Sequence, residues 1–245
     1  MRVSRIFVAG ALEPGADVEL PAQAAEHLVR VLRFEPGATL TLFNGAGGEY
    51  EARLAPRAGK RVLAHVMRHD AVERESPLDI TLLQGVARGE RMDLIVQKAT
   101  ELGVSRIVPV LTERSVVKAD ADQRARKREH WQAIAISACE QCGRNRIPEI
   151  GEPAAAAAAL AALAPGGARL LLAADAPHTL AAAARESSRV TLFIGPEGGL
   201  AAGERTLAAA QGFIDCRMGP RVLRTETAGL AALAILQTVM GDLAT

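Results

Sequence analysis

From Leu78 onward, short apolar runs alternate with longer segments of helical period, and this alternation restricts the possible folds more than any other feature. The predicted strands cover 78–84, 107–111, 169–173 and 190–194, and the predicted helices cover 91–102, 123–142, 203–211 and 225–237. An alanine-rich stretch, 154–164, predicts one further, peripheral helix. Strands that alternate with helices predict a parallel sheet covered by helices on both faces.

The first seventy residues follow a different pattern, with short strands separated by turns and a single helix. Strands are predicted over 5–8, 39–43, 50–54 and 60–68, and a helix over 21–33 with Leu28, Val29, Val31 and Leu32 as its apolar set. Asn44-Gly45 predicts a hairpin turn between the second and third strands. A charged stretch that ends in Ser76-Pro77 has linker composition. We therefore expect two domains, 1–72 and 73–245.

Composition limits the class of protein. Of the 245 residues 49% are hydrophobic and the formal net charge is +1, which argues against an overall basic coat for nucleic acid but allows a local basic face. The three cysteines do not form a disulfide framework, and the Cys139–Cys142 pair lacks further metal ligands nearby, so we expect no metal. No apolar run is long enough for a membrane span or a signal core, so we expect a soluble, cytoplasmic protein that does not bind membranes.

Two loops have the composition of ligand-binding segments. The first, 195–199 (Gly-Pro-Glu-Gly-Gly, here the glycine loop), directly follows the apolar strand 190–194. The second, 218–224 (here the arginine loop), contains Gly219, Arg221 and Arg224 and precedes the last helix, whose start Thr225 and Glu226 are predicted to cap. Open parallel sheets bind ligands at the carboxyl ends of their strands. Neither loop is a Walker or a dinucleotide motif, so the pattern predicts a ligand without identifying it, and simple chain turns with solvated arginines remain the alternative.

Five motifs together resemble a known family. They are the HLVRVLR segment with the FNGAGGEY that follows it, QKATELGVSRIVPVLTERS, ACEQCGR, GPEGG and MGPRVLRTETAGLAALAIL, and they span essentially the whole chain. In this order they resemble the SPOUT superfamily of knotted RNA methyltransferases, and most closely the bacterial 16S rRNA uracil-N3 methyltransferases. The resemblance implies an α/β fold in which an N-terminal PUA-like β-barrel precedes a SPOUT domain with a C-terminal trefoil knot. It also implies a homodimer.

The resemblance further implies S-adenosylmethionine as methyl donor and a uridine N3 of 16S rRNA, in the 30S subunit, as acceptor. The cofactor would contact the end of the strand 169–173, the glycine loop and the arginine loop. The implied cofactor-binding residues are Leu172, Ala173, Ile194, Gly195, Pro196, Glu197, Gly198, Gly199, Met218, Gly219, Val222, Leu223 and Arg224.

Methylation at N3 requires removal of a proton from a weak nucleophile, which leaves negative charge on the O2 and O4 atoms of the base. An arginine close to those oxygens favours the anion, and Arg224 and Arg144 are the candidates, the latter from the EQxxR signature of the resembled family. Glu197 and Glu226 are the candidates that accept the proton or position the base. The sequence leaves the choice between these two carboxylates open.

RNA contacts are expected from His27, Arg30 and Arg33, which recur at a spacing of three residues in the N-terminal helix. Spacing alone favours an ordinary polar helix face, whereas the resemblance favours an RNA-binding element. Lys118 and the basic run 124–128 have the same two interpretations, a solvated helix start or an RNA-facing patch.

Three other functions are consistent with parts of the pattern. A SPOUT enzyme that methylates a ribose 2′-hydroxyl would share the fold and the cofactor. A ribosome-assembly factor without catalysis would share the RNA-binding features. A nucleotide-dependent α/β enzyme would use the glycine loop, but the loop lacks the lysine that such sites need.

Overall fold

The computed structural model describes residues 4–56, 61–115, 120–184 and 187–244. The chain divides into two compact units, the first formed by residues 1–75 with 139–147 and the second by residues 76–138 with 148–245. The first unit therefore includes a segment, 139–147, that the sequence alone assigned to the second domain.

The first unit is built on one five-stranded sheet with the order β1-β3-β4-β5-β2. Its elements are β1 (Ser4–Phe7), β2 (Asp17–Glu19), α1 (Ala22–Glu26) with a π-helical turn (His27–Val31), β3 (Thr39–Phe43), β4 (Glu49–Leu54) and β5 (Leu63–Asp70). β1 runs parallel to β3, and all other neighbours are antiparallel. Among the described strands β1 and β2 are the two edges, so this sheet is a half-barrel rather than the closed barrel expected from the resemblance.

Alternating side chains form the core of this sheet. Leu40 and Leu42 of β3, Ala52 of β4, and Ala64 and Val66 of β5 have no exposed surface, which agrees with the period of two predicted for these strands. The predicted hairpin between β3 and β4 is confirmed by their antiparallel pairing. The sequence did not predict β2.

The helix predicted over 21–33 is α-helical only as far as Glu26. After Glu26 the helix widens into the π-helical turn, so the apolar residues no longer share one face. Leu28 is buried as predicted, but Val31 is 64% exposed and Leu32 is 41% exposed. Arg33 lies beyond the helix with a positive φ of 55°, a conformation that arginine rarely adopts.

The segment 139–147 is held to the first unit by Arg144. The Arg144 guanidinium donates to both oxygens of Glu75, with an Nη2–Oε2 distance of 2.6 Å, and the Arg144 side chain is only 7% exposed. The carboxylate of Glu75 also accepts the backbone N–H of Arg146 at 3.2 Å. A buried guanidinium is costly unless an opposite charge lies beside it, and the carboxylate of Glu75 provides that charge.

Two further contacts attach the same segment to β1. Glu140 accepts the backbone N–H of Phe7 at 3.0 Å, and burial raises the pKa of Glu140 above its usual value although this hydrogen bond opposes the shift. Arg5 donates to the Asn145 Oδ1 at 2.7 Å and also pairs with Glu49. Cys139 is buried here, and burial raises its pKa to about 12, so its thiol stays protonated near neutral pH.

The second unit is a parallel α/β sheet with the order β11-β13-β10-β12-β6-β7-β8, and β9 also pairs with β7. Its strands are β6 (Asp79–Gly85), β7 (Arg106–Leu111), β8 (Glu149–Ile150), β9 (Ala154–Ala155), β10 (Ala168–Leu172), β11 (His178–Thr179), β12 (Arg189–Ile194) and β13 (Ile214–Arg217). Its helices are α2 (Arg91–Glu101), α3 (Ala121–Cys142), α4 (Ala156–Ala161), α5 (Leu180–Ala183), α6 (Ala202–Ala210) and α7 (Thr225–Met240). Within the described ranges, no helix combines the length and the hydropathy that a membrane span requires.

The predicted parallel sheet is confirmed, with β12 and β6 at its centre. Leu192 and Phe193 of β12 and Leu82 and Leu83 of β6 are fully buried, as expected for strands covered on both faces. The prediction of one helix over 154–164 was partly wrong, because the first two alanines pair with β7 as a strand and only Ala156–Ala161 is helical. β13 was not predicted, since it is only four residues long.

The Arg144–Glu75 pair yields a test of stability. We expect Arg144→Gln to lower the free energy of unfolding by about 3 kcal/mol, because Glu75, whose side chain is only 17% exposed, then loses its counter-ion. Arg68→Gln is the matched control, since Arg68 pairs with Glu51 on the surface of the same unit with its side chain 64% exposed. Urea unfolding of both variants measures the difference. Equal stability of the two variants would contradict a structural role for Arg144 and leave only the predicted catalytic one.

Candidate active site

A cavity of about 720 Å³ opens at the carboxyl ends of β10, β12 and β13. The last residues of these strands reach it, with Leu172 from β10, Ile194 from β12 and Arg217 from β13. Since the three strands are parallel neighbours, their carboxyl ends meet at one edge of the sheet.

All of the residues predicted to bind a cofactor line this one cavity. They are Leu172, Ala173, Ile194, Gly195, Pro196, Glu197, Gly198, Gly199, Met218, Gly219, Val222, Leu223 and Arg224. The glycine loop (195–199) and the arginine loop (218–224) are separated by residues 200–217 in sequence but line the same cavity, because β13 returns the chain to the same edge of the sheet.

The glycine loop lies very close to β6. A Cβ atom on Gly85 would lie 2.5 Å from the backbone nitrogen and the Cδ atom of Pro196, so only glycine fits at the end of β6. The loop closes on itself through a hydrogen bond from the Gly199 N–H to the Pro196 carbonyl, 2.8 Å, and Gly199 has a φ of 68° that favours glycine. The strand end and the loop therefore pack backbone against backbone.

The first turn of α7 is tied to the glycine loop by Thr225. Its hydroxyl donates to the Gly195 carbonyl at 2.7 Å and accepts the Gln84 Nε2–H at 2.9 Å. The helix N-cap is Arg224, which makes no side-chain capping bond. The prediction that Thr225 and Glu226 cap the helix was therefore wrong, because the Thr225 hydroxyl is bonded to the glycine loop.

Both predicted acidic residues are paired with Arg91, at the start of α2. Glu197 accepts the Arg91 guanidinium at 2.8 Å and the Arg88 backbone N–H at 3.1 Å. Partial burial raises the pKa of Glu197, but these hydrogen bonds outweigh it and hold the pKa below its usual value. Glu226 lies 3.7 Å from the Arg91 Nε, and its Oε2 is buried without a hydrogen-bond partner within the described part of the chain.

The arginines of the cavity fall into two groups. Three are engaged: Arg91 with Glu197, Arg114 with the Gly198 carbonyl at 3.0 Å, and Arg205 with Asp175 at 3.3 Å and with Asp215. The other three have no ion pair or side-chain hydrogen bond with any residue that the structure describes, and they are Arg217, Arg221 and Arg224. The cavity therefore presents uncompensated positive charge at the carboxyl end of β13 and along the arginine loop.

The other predicted site residues belong to the first unit or lie outside the described residues. Arg144 is in the first unit, paired with Glu75, and does not line the cavity. His27, Arg30 and Arg33 are exposed in that unit, with Arg30 paired to Glu26 at 2.7 Å and Arg33 following the helix rather than lying on it. Lys118 falls within residues 116–119, outside the described residues.

Sequence reasoning missed several charged residues of the cavity, namely Arg91, Asp175, Arg205 and Arg217. Arg91, Asp175 and Arg205 lie in the segments that follow β6, β10 and β12. Arg217 is the last residue of β13. The rule that ligands bind at the carboxyl edge of a parallel sheet, applied to the segments that follow β6 and β7, singles out Arg91 and Arg114.

Two family models match the chain. The RNA methyltransferase domain matches residues 74–237, and the RNA methyltransferase PUA domain matches residues 20–67. The first match covers the strands of the parallel sheet in the second unit, and the second covers β3, β4 and most of β5 in the sheet of the first unit.

Similar proteins and structures cover nearly the whole chain. The ribosomal RNA small subunit methyltransferase E of Buchnera aphidicola is 31% identical over 99% of this chain and 98% of its own. The corresponding enzyme of Neisseria gonorrhoeae, solved with bound S-adenosyl methionine, is 37% identical with a TM-score of 0.90 and covers 99% of this chain and 100% of its own. A methyltransferase of Legionella pneumophila, in complex with the cofactor SAM, is 40% identical with a TM-score of 0.91 over the same shares of the two chains.

The contact between Gly85 and Pro196 predicts opposite effects of two glycine substitutions. Gly85→Ala should destabilise the protein by about 1–3 kcal/mol, because the added methyl group displaces the glycine loop. Gly203→Ala, in the first turn of α6, should stabilise it by about 0.5–1 kcal/mol, since no atom lies within 4 Å of its added Cβ and alanine favours helix. Thermal unfolding of both variants measures the two signs. A stable Gly85→Ala variant would show that the loop moves aside without cost.

Proposed function

Since the chain belongs to the ribosomal RNA small subunit methyltransferase E family, we propose that it transfers a methyl group from S-adenosylmethionine to N3 of a uridine in 16S rRNA. The observation that carries this proposal is the single cavity lined by the glycine loop and the arginine loop. The match of the methyltransferase family model over 74–237 covers both of these loops.

The cavity fits the cofactor in size and in chemistry. Its volume of about 720 Å³ lies in the range of small-molecule sites, roughly 300–1,000 Å³. Leu172, Ile194, Met218 and Leu223 provide apolar walls for a flat base. The glycine loop lines the cavity with backbone that few side chains cover, which suits recognition of adenine by those N–H and C=O groups that are not already bonded to Thr225, to Arg114 or within the loop.

When bound, S-adenosylmethionine supplies an electrophilic methyl group on a positively charged sulfur. The task of the protein is then to align the acceptor and to favour loss of the proton from N3. Arg224 suits the second part, because it lines the cavity without an ion pair to any described residue and a guanidinium stabilises negative charge on O2 or O4. Arg144 has the weaker support, since its guanidinium is already neutralised by Glu75.

The two carboxylates differ in what they can contribute. Glu197 is held ionised by Arg91 and the Arg88 N–H, and a carboxylate whose pKa is lowered is a weak base. We therefore assign Glu197 to shaping the glycine loop. Glu226 is not among the residues that line the cavity, but one of its oxygens has no partner among the described atoms, so of the two carboxylates it retains the capacity to accept a hydrogen bond.

The uncompensated arginines support RNA as the acceptor molecule. The carboxylate of S-adenosylmethionine needs one arginine at most, whereas RNA phosphates and an ionised base can pair with all three of Arg217, Arg221 and Arg224. In the first unit, the exposed His27, Arg30 and Arg33 and the match to the PUA domain support a second contact with rRNA. Lys118 remains a candidate on the sequence argument alone.

We further propose that the chain acts as a cytoplasmic homodimer on the 30S subunit and that its C-terminal segment forms the trefoil knot. The knot is supported by the position of β13 between β10 and β11, which brings the arginine loop back to the glycine loop. The dimer is supported by exposed apolar side chains near the C-terminus, with Val239 47% and Leu243 52% exposed. Sedimentation as a monomer at micromolar concentration would contradict the dimer.

Analysis of the methylated nucleoside tests the proposal directly. Methyl-labelled S-adenosylmethionine and undermethylated 30S subunits should yield labelled 3-methyluridine in the 16S rRNA. Label on a ribose 2′-hydroxyl would preserve the cofactor and overturn the acceptor. Absence of both label and cofactor binding would point to an assembly factor instead.

Arg224 is predicted to act mainly on turnover. Arg224→Ala should lower kcat by about 10²–10³, as for the loss of one donor to a developing anion, with cofactor affinity nearly unchanged. Arg106→Ala is the control, because Arg106 lies at the opposite, amino-terminal end of β7 and pairs with Glu149. Steady-state methylation kinetics and calorimetry separate the two effects. Equal losses of turnover and cofactor affinity would contradict this role.

Arg217 and Arg221 are predicted to contact phosphates. Arg217→Gln and Arg221→Gln should each weaken binding to 30S subunits and reduce the slope of log K against log salt concentration by about 1. Cofactor affinity should not change. Arg189→Gln serves as control, since Arg189 is exposed but paired with Asp79. An unchanged salt slope in both test variants would exclude phosphate contacts by these arginines.

A further inference from the structure

A buried chain of hydrogen bonds connects β6, the first turn of α7 and the glycine loop. Its members are Gln84, Thr225 and the carbonyl of Gly195, and the Thr225 side chain lies at its centre. We propose that Thr225 and Gln84 are positioning residues, which hold the glycine loop and Arg224 in their places without touching the acceptor. This inference rests on the proposed function for its catalytic consequence, but its structural part is independent of it.

The direction of each hydrogen bond follows from the atoms involved. The Gly195 carbonyl can only accept, so the Thr225 hydroxyl donates its single proton there at 2.7 Å. The same oxygen accepts the Gln84 Nε2–H at 2.9 Å, and the second Nε2–H goes to the Gly85 carbonyl at 2.9 Å. Because two acceptors surround Nε2, the orientation of the Gln84 amide is determined by its neighbours.

Burial makes this chain sensitive to the loss of one group. Gln84 has no exposed surface and Thr225 is 5% exposed, so water does not readily replace a missing partner. Removal of the Thr225 hydroxyl leaves the Gly195 carbonyl without its donor and one Gln84 N–H without its acceptor. The Gln84 Oε1 has no partner among the described residues, and a turned amide would place this oxygen against the Gly85 carbonyl, so the amide has no better alternative orientation.

Two members of the hydrogen-bond chain connect it to the cavity. Gly195 opens the glycine loop, which lines the cavity, and Thr225 directly follows Arg224, the N-cap of α7. A displacement of the Thr225 side chain therefore moves the backbone that carries Arg224. Gly85, the next residue after Gln84, also lies against Pro196, so both contacts hold the same loop.

Hydrogen exchange without cofactor tests the structural part first. We expect Thr225→Val, which is nearly isosteric, to increase exchange of the backbone amides of 194–200 about tenfold, because the loop opens more readily. Thr225→Ser restores the hydroxyl and should exchange at close to the wild-type rate. Thr100→Val is the matched control, since Thr100 is a buried threonine that donates to the Val96 carbonyl at 2.8 Å within α2. It should lower the melting temperature without affecting exchange in the glycine loop.

The functional part is measured on the same variants. Thr225→Val should weaken binding of S-adenosylmethionine about tenfold and reduce kcat at saturating cofactor, whereas Thr225→Ser and Thr100→Val should bind it as the wild type does. Gln84→Met, which removes the amide at similar volume, should produce the same pattern. The double variant Gln84→Met/Thr225→Val should lose less than the sum of the two single losses, because both substitutions break one chain.

Unchanged exchange of the glycine loop in Thr225→Val would overturn the proposal, as would equal impairment of Thr225→Ser and Thr225→Val. Additive effects of the two substitutions would likewise reject a single chain. If the wild type fails to bind S-adenosylmethionine, the proposed function fails, and the exchange data then decide the structural part separately.

Discussion

The parallel pairing of β6 with β12 is the constraint on which the cavity depends. In this register Gln84 lies opposite Ile194, so both strands end at the same level and their following segments meet. The close approach of Pro196 to Gly85 and the hydrogen bonds at Thr225 are consequences of that shared level. The pairing of the two strands therefore determines the position of the glycine loop. The loop in turn binds the first turn of α7 through the Gly195 carbonyl.

The positive charge of the cavity depends on which arginines lack a carboxylate partner, and not on the net charge of the chain. The whole chain has a formal net charge of only +1, which argues against an overall basic coat for nucleic acid but allows a local basic face. Most arginines elsewhere in the fold face a carboxylate, but Arg217, Arg221 and Arg224 lie together in the cavity without one among the described residues. A local excess of positive charge is what an RNA substrate recognises, so the overall charge was a poor guide to function.

Much of the fold was predictable from local pattern. The central strands are apolar runs, and the longer helices have helical period or clear start and stop residues. Their types and approximate ends were therefore predicted correctly. Short elements were missed, since β2 and β13 are too brief to display a period. The π-helical turn after Glu26 was also missed, because a change of helical pitch leaves no mark in the sequence and exposes Val31, which the period predicted to be apolar and inward-facing.

By itself the sequence determined the α/β class, the two ligand loops and the residues that now line one cavity, because strand composition and glycine placement are local properties. Only the tertiary structure decided the partners of the charged and polar groups. Arg144 pairs with Glu75 across 69 positions of sequence, and Arg91 joins Glu197 across 106. Such partners are chosen by how strands and helices pack, so no spacing in the chain predicts them.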